Sequence, residues 1–246
     1  MTQDEFGAFA VKASRHAVLV PGAIGRLRLT QSYPFTKTVR HPKLREPEMK
    51  HAFAQIAERE GIEYGIEVPT AEKFRFRAEA GTRTVSARHD IALYRPLAAN
   101  RNAVVLVELK EGQPHLTAMP EEAGMTDARS VSKDIEKLLA ERADGGKCMF
   151  HILQFAGAGT LDAVRRKYAA AVSRAINDAE KRTPAVVVDA DPCWFTLAVL
   201  IPRWKGVPEP GPRLQLLKTM MKDLRSLPQT VRSQAAWASI PLGTGS

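Results

Sequence analysis

The sequence predicts an α/β fold with a mixed central sheet flanked by helices. Two apolar runs of strand length, residues 103–110 and 194–201, carry this reading. Such runs belong in the middle of a sheet, covered on both faces. Between and around them lie segments with apolar residues at helical spacing. From residue 48 to 155 the order reads helix, three strands, helix, strand, which is the alternation of a layered α/β core.

Each element has its own justification. Residues 1–45 read as an irregular, basic N-terminal extension, broken by Pro21, Gly22, Gly25, Pro34 and Pro42. Pro47 suits the first turn of a helix. Met49, Ala52, Phe53, Ile56 and Ala57 continue that helix and Gly61 stops it. Residues 62–68 and 74–78 read as one long bent strand or a hairpin around Pro69. Gly81 turns the chain into the next strand, 85–94. Residues 96–102 are a loop, 103–110 the apolar strand, and 112–126 a surface excursion.

Ser130 or Ser132 caps the next helix, with Asp134 and Glu136 favourable near its positive end. Val131, Ile135, Leu138 and Leu139 form its apolar face, and Gly145-Gly146 ends it. Residues 148–155 are a strand. Thr160 opens a long helix with Leu161, Val164, Tyr168, Val172, Ile176 and Ala179 on one face. A short strand at 185–188 and a strong one at 194–201 follow. Residues 206–246 read as a linker, a helix over 214–227 and a loosely ordered tail, so the main domain is expected over 46–205.

Charge and composition narrow the function. The 246 residues carry a net charge of +9, a balance that favours a polyanionic partner. The charge is uneven: residues 1–45 contribute +6 and residues 202–246 contribute +5, leaving −2 for the middle. A near-neutral core between basic ends suits an enzyme that grips phosphates. No apolar run reaches the ~20 residues that span a bilayer. The stretch from Ala17 to Val20 is short and follows Asp4 and Glu5, the wrong flank for a signal peptide. Cys148 and Cys193 lack CxxC spacing, so two buried thiols in a reducing cytoplasm are expected.

The chemistry concentrates in two strands. Asp90 lies in the first, and Glu108 and Lys110 interrupt the apolar second. Charges there need a partner or a metal, because an unpaired buried charge is very costly. Residues two apart share a strand face, so Glu108 and Lys110 project together. A hairpin centred on Ala99 sets Asp90 directly opposite Glu108, with Cβ atoms roughly 4.5–5.5 Å apart. Two carboxylates that close repel unless a cation separates them. Mg²⁺, or Mn²⁺ in its place, suits oxygen ligands of this kind. Lys110 could then orient or deprotonate a water, or stabilise the transition state. The competing reading is a cross-strand ion pair of Asp90 or Glu108 with Lys110.

These residues resemble the PD-(D/E)xK nuclease superfamily, the restriction-endonuclease-like fold. That family's pattern is an acid at one strand, then (D/E)-x-K on the next, within an αβββαβ core. Asp90 matches the first acid and Glu108-Leu109-Lys110 the second motif, over roughly residues 46–155. The resemblance implies metal-dependent phosphodiester hydrolysis, usually of DNA, with a homodimer favoured if both strands of a duplex are cut. It implies a further acid from the preceding helix, for which Glu48 is the first candidate and Glu46 the second. Asp90, Glu108 and Glu48 are thus the expected metal ligands, with Lys110 the catalytic cation. Lys133 and Lys137 resemble the basic residues that often follow the motif, and Gln113 could touch a scissile phosphate. His89 stands where proline is frequent, and strand alternation places it opposite Asp90. A nuclease-like fold kept as a non-catalytic binding or assembly module is the main rival, and an unrelated binding protein with structural charges is the second.

Other motifs are weaker. The six histidines form neither HxH nor HExxH. The SxxK string at Ser130 lacks its companion motifs and fits helix capping better. The Gly157 to Thr160 turn could hold a phosphate at a helix N-terminus, although a plain strand-to-helix turn explains it. Trp194, Trp204 and Trp237 could stack on bases, with core packing the default.

Overall fold

Seven strands form one mixed sheet in the computed structural model, in the spatial order β1-β2-β3-β4-β5-β6-β7. The structure describes residues 1–19, 44–78, 81–96, 102–111, 131–153, 156–157, 160–182, 193–204, 211–227 and 237–243. Gln113, Ser130, the expected strand at 185–188 and most of the 206–212 linker lie outside them.

The helix predicted from residue 48 is α2, Glu46–Arg59, and Met49, Ala52, Phe53, Ile56 and Ala57 are all buried as their spacing required. It is followed by β1 (Glu63–Ala78), β2 (Gly81–Tyr94) and β3 (Val105–Glu111). Then come α3 (Val131–Ala140), β4 (Gly146–Ile152), α4 (Thr160–Arg182) and β5 (Trp194–Ile201). The predicted order of helix, three strands, helix and strand is therefore present. β1 is one strand, with a register shift between Pro69 and Lys73, rather than two.

β1, β2 and β3 pair antiparallel, whereas β3, β4 and β5 run parallel. Parallel neighbours need long crossovers, which α3 and α4 supply. Both pack on one face, around Ile135, Leu138, Met149, Tyr168, Val172 and Leu197. α2 covers the other face with Phe53 against Phe150. Every residue of β4 and β5 is buried, the condition under which a strand reads as a continuous apolar run.

Three expectations are corrected. Residues 3–19 are not irregular: Gln3–Leu19 form α1. Phe6, Phe9, Ala10, Ala13 and Ala17 recur at helical spacing and are buried beside α2. The breakers of the first 45 residues all begin at Pro21, so averaging over the whole segment hid this period. Phe6 lies with its ring centroid 5.0 Å from that of Trp194, so α1 is part of the core.

The second correction concerns residues 214–227. They form a strand, β6 (Arg213–Met220), and then a 3-10 helix, Met221–Ser226. β5 would otherwise end the sheet as an apolar edge with unpaired backbone groups. β6 pairs with it along its whole length and buries Leu214 and Leu216 on one face and Leu217 on the other. Third, the part of the tail from Trp237 to Pro241 is not loose: it forms β7 on the outer side of β6.

Gly146 marks one close approach. A Cβ there would overlap the indole of Trp194, its partner across β4 and β5. The glycine that was read as ending a helix thus also admits a tryptophan against the sheet backbone.

Candidate functional site

The β2–β3 register is the one loop symmetry predicts. Ile91 faces Val107, Ala92 faces Leu106 and Leu93 faces Val105, which sets Asp90 level with Glu108. The side chains depart from simple alternation at this point. The β1–β2 ladder runs from Ile66↔Ile91 to Val68↔His89 without a rung at Glu67 and Asp90, and Glu67 has a φ of 55°. Left-handed backbone is uncommon for a residue with a Cβ and marks a local distortion.

The distortion divides the expected carboxylate pair. Asp90 turns towards α2: its Oδ1 accepts Lys50 Nζ at 2.7 Å, and its Oδ2 accepts the Leu109 backbone N–H at 2.7 Å. Glu108 turns towards α3, on the opposite face of the sheet. Its Oε2 accepts Lys137 Nζ at 2.6 Å and its Oε1 lies 2.5 Å from His89 Nδ1. The shared-face arrangement of Asp90 and Glu108 is therefore corrected, although Glu108 and Lys110 do share a face. It is His89, expected away from Asp90, that meets Glu108.

Glu108 sits deep, with 1% of its side chain exposed, and anchors a chain of charges. Lys137 also lies 3.3 Å from Asp134 Oδ1 and donates to the Arg88 carbonyl at 3.1 Å. Lys110 donates to Asp134 Oδ2 at 2.8 Å, so the network runs from buried His89 out to Lys110. Burial drives the Glu108 carboxyl well above its usual range, and Lys137 pulls it back. Burial would by itself lower the Lys137 ammonium, but Glu108 and Asp134 outweigh it and hold it charged. His89 is pushed down to about 4, first by burial and then by the Lys137 charge, so it is neutral at pH 7. Its Nε2 is buried with no hydrogen-bond partner among the described residues.

The mouth of the site is built by the start of α2. Glu46 N–H donates to Glu111 Oε2 at 2.9 Å, and Glu111 N–H donates back to Glu46 Oε1 at 3.1 Å. This reciprocal pair docks the helix N-terminus on the carboxyl end of β3. The Glu46 carboxyl is raised to about 7, by burial first and then by the Asp90 charge, with Lys110 opposing. Lys50, one turn along α2, holds both Asp90 and Glu67; burial would lower it, but these two carboxylates outweigh that and raise it.

The predicted residues thus fall in different places. Glu46 lies within reach of the charges of Asp90, on the α2 face, and of Lys110, on the α3 face, and Glu108 lies in the buried network. Glu48, the first choice for the helix acid, accepts the Arg45 backbone N–H at 2.9 Å and secures the start of α2. Lys137, expected to contact nucleic acid, is committed to Glu108 and Asp134. Lys133 lies on α3. Lys50, Asp134 and Glu111 were missed. Spacing offered a signal for two of them, since Glu46 and Lys50 are four apart on one helix and Asp134 and Lys137 three apart on another.

Among the described residues, no group of three or more His, Cys, Asp or Glu side chains is placed to hold a metal ion. The residues fit a divalent ion only at a two-acid site. Asp90 keeps 16% of its side chain exposed, and Glu46 beside it is strained by like charge, a repulsion that a cation relieves. Mg²⁺ binds through one or two carboxylates with retained waters, so two acids suffice. Glu108, 1% exposed and held by both His89 and Lys137, does not fit as a ligand, whereas Asp90 fits where the ion replaces Lys50.

No family model, curated protein or solved structure matches the chain. No helix among the described residues is long and apolar enough to cross a membrane.

Proposed function

We propose that this chain is a metal-dependent phosphodiesterase acting on DNA, with a restriction-endonuclease-like core. One observation carries the reading: Glu46, at the start of α2, feels the charges of both Asp90 and Lys110 where the β2–β3 pairing ends, at the carboxyl end of a parallel strand. Crevices at such strand ends are where open α/β sheets place their ligands. The helix-strand-strand-strand-helix-strand order and the match of Asp90 and Glu108-Leu109-Lys110 to the PD-(D/E)xK pattern support it.

Asp90 and Glu46 would hold the Mg²⁺ ion. Bound there, the ion would polarise a phosphoryl oxygen and acidify a water. Lys110, 2.8 Å from Asp134, presents a fixed cation for the charge that develops on phosphorus oxygens. Lys50 neutralises Asp90 when the metal is absent. Glu108 takes a positioning role, since it fixes His89 and Lys137 behind the strand.

The test is cleavage of supercoiled plasmid by the purified chain, with Mg²⁺ against EDTA. Cleavage that needs the metal and falls at least 100-fold in Lys110→Ala supports the reading. No cleavage by wild type, or equal cleavage by the variant, overturns it. A non-catalytic nucleic-acid-binding module is the second reading, favoured by the burial of Glu108 between His89 and Lys137. It predicts DNA binding with no metal-dependent cleavage.

A further inference from the structure

We infer that Lys50 is the resident cation of the Asp90 site, and that Glu67 is the acceptor to which it withdraws when a divalent ion takes Asp90. The inference rests on the proposed function for the ion itself. It goes beyond that reading in giving the site a built-in competitor and a place for the competitor to go. Metal affinity is then set by two residues that are not ligands.

Backbone pairing creates the need for a cation here. Glu67 stands level with Asp90 across β1 and β2, between the Ile66↔Ile91 and Val68↔His89 rungs. Carboxylates directly opposite each other on neighbouring strands repel. Lys50 reaches over from α2 and touches both: its Nζ lies 2.7 Å from Asp90 Oδ1 and donates to Glu67 Oε1. The two acceptors differ in depth, with 16% of the Asp90 side chain exposed against 45% for Glu67. Lys50 thus bridges an inner carboxylate and an outer one.

The same bridge is a route for exchange. Asp90 Oδ2 is engaged with the Leu109 N–H, so Oδ1 is the oxygen left for a cation. Lys50 holds it in the metal-free chain. Two cations on one oxygen repel, so an ion at Oδ1 displaces the ammonium. An ammonium has three donors on a flexible stem, and Lys50 can release Asp90 while keeping Glu67. The released charge moves outward to a carboxylate it already touches. Without Glu67, Lys50 would have no second acceptor and would compete harder for Asp90.

The experiment is calorimetric titration of Mn²⁺ into the metal-stripped full chain, without nucleic acid. Lys50→Met should bind Mn²⁺ about tenfold or more tightly than wild type, because the competing charge is gone. Glu67→Gln should weaken binding about threefold or more in the wild-type chain, and less than about twofold in Lys50→Met, because Glu67 acts through Lys50. An equal loss in both backgrounds, which a plain charge effect gives, overturns the inference. So does unchanged affinity in Lys50→Met, or no Mn²⁺ binding by either chain. If Lys50→Met does not fold, Glu67→Asp decides. It keeps the charge on a side chain one methylene shorter, so it should weaken binding as Glu67→Gln does, and unchanged affinity overturns the inference. Plasmid cleavage in Mg²⁺ separates this inference from the proposed function. The expected Mn²⁺ affinities without cleavage sink the nuclease and leave Lys50 and Glu67 in their roles. Metal-dependent cleavage with Mn²⁺ affinity indifferent to Lys50 does the reverse.

Discussion

The Asp90 carboxylate accepts the Leu109 backbone N–H at 2.7 Å, between the two charged residues of the next strand. A side chain here takes the ladder position that the backbone of β2 leaves empty past Ile91. The same carboxylate holds Lys50 of α2, so one residue ends a strand pairing and fixes a helix.

Asp90→Asn separates these roles. Asparagine keeps an oxygen for the Leu109 N–H but loses the charge that holds Lys50 and a metal. Thermal melting should fall by only a few degrees, whereas Asp90→Ala, which orphans the Leu109 N–H, should cost about 1–3 kcal/mol. Both should abolish metal-dependent plasmid cleavage. Equal melting of the two variants would show that the Leu109 bond contributes nothing.

Lys137 is the counterion of the deepest carboxylate. Lys137→Met leaves Glu108 without its ammonium and should destabilise the fold by about 3–5 kcal/mol. For a chain of this size that is roughly 6–20 °C in melting temperature. Adding Glu108→Gln should recover part of the loss, because the orphaned charge is then gone. Strictly additive losses in denaturant unfolding would argue against the pair.

Glu46 should tilt the pH profile. Its folded carboxyl titrates near 7 against 4.5 for the free group, so the folded state binds the extra proton. Its neutral form stabilises fully below about pH 4.5, and that contribution is lost as pH rises through 7. Glu46→Gln, which keeps an acceptor for the Glu111 N–H, should therefore be more stable than wild type at pH 9. The gain should be on the order of 1–2 kcal/mol, reduced by partial solvent screening. At pH 4.5 it should vanish. His89 slopes the other way: neutral in the fold down to about 4, its contribution is complete above 6.5 and lost as pH falls towards 4. The difference between wild type and variant isolates Glu46, because His89 and the raised Glu108 carboxyl act in both. Urea unfolding of both chains in EDTA at a series of pH values reads that difference, which should grow from zero at pH 4.5 to its full size above 7.

Gly146→Ala tests the contact of Gly146 with Trp194. The added methyl meets the six-membered ring of an indole that is itself packed against Phe6. Overpacking of about 1–3 kcal/mol is expected, together with a change in tryptophan fluorescence. Wild-type stability with unchanged emission would show that the ring moves aside freely.

Most elements were legible because their signals are local. α2 announced itself through Pro47, its apolar period and Gly61, and β5 through seven apolar residues interrupted only by Thr196. The β2–β3 register followed from the symmetry of one loop. β6 misled because Leu214, Leu217, Met221 and Leu224 carry a helical period, while a non-local need to pair the edge of β5 made the segment a strand.

The sequence by itself determined the α/β class, the run of helices and strands from residue 46 to 152, and the level at which Asp90 meets Glu108. Period, breakers and loop length settle these, and all three act over a few neighbouring residues. Only the tertiary structure decided which charges pair. Lys50 and Lys137 approach the same two strands from helices on opposite faces, and Glu67 distorts the ladder between them. The energy of a buried carboxylate depends on the cation that reaches it, so Asp90 and Glu108 were parted by α2 and α3 rather than by their own strands.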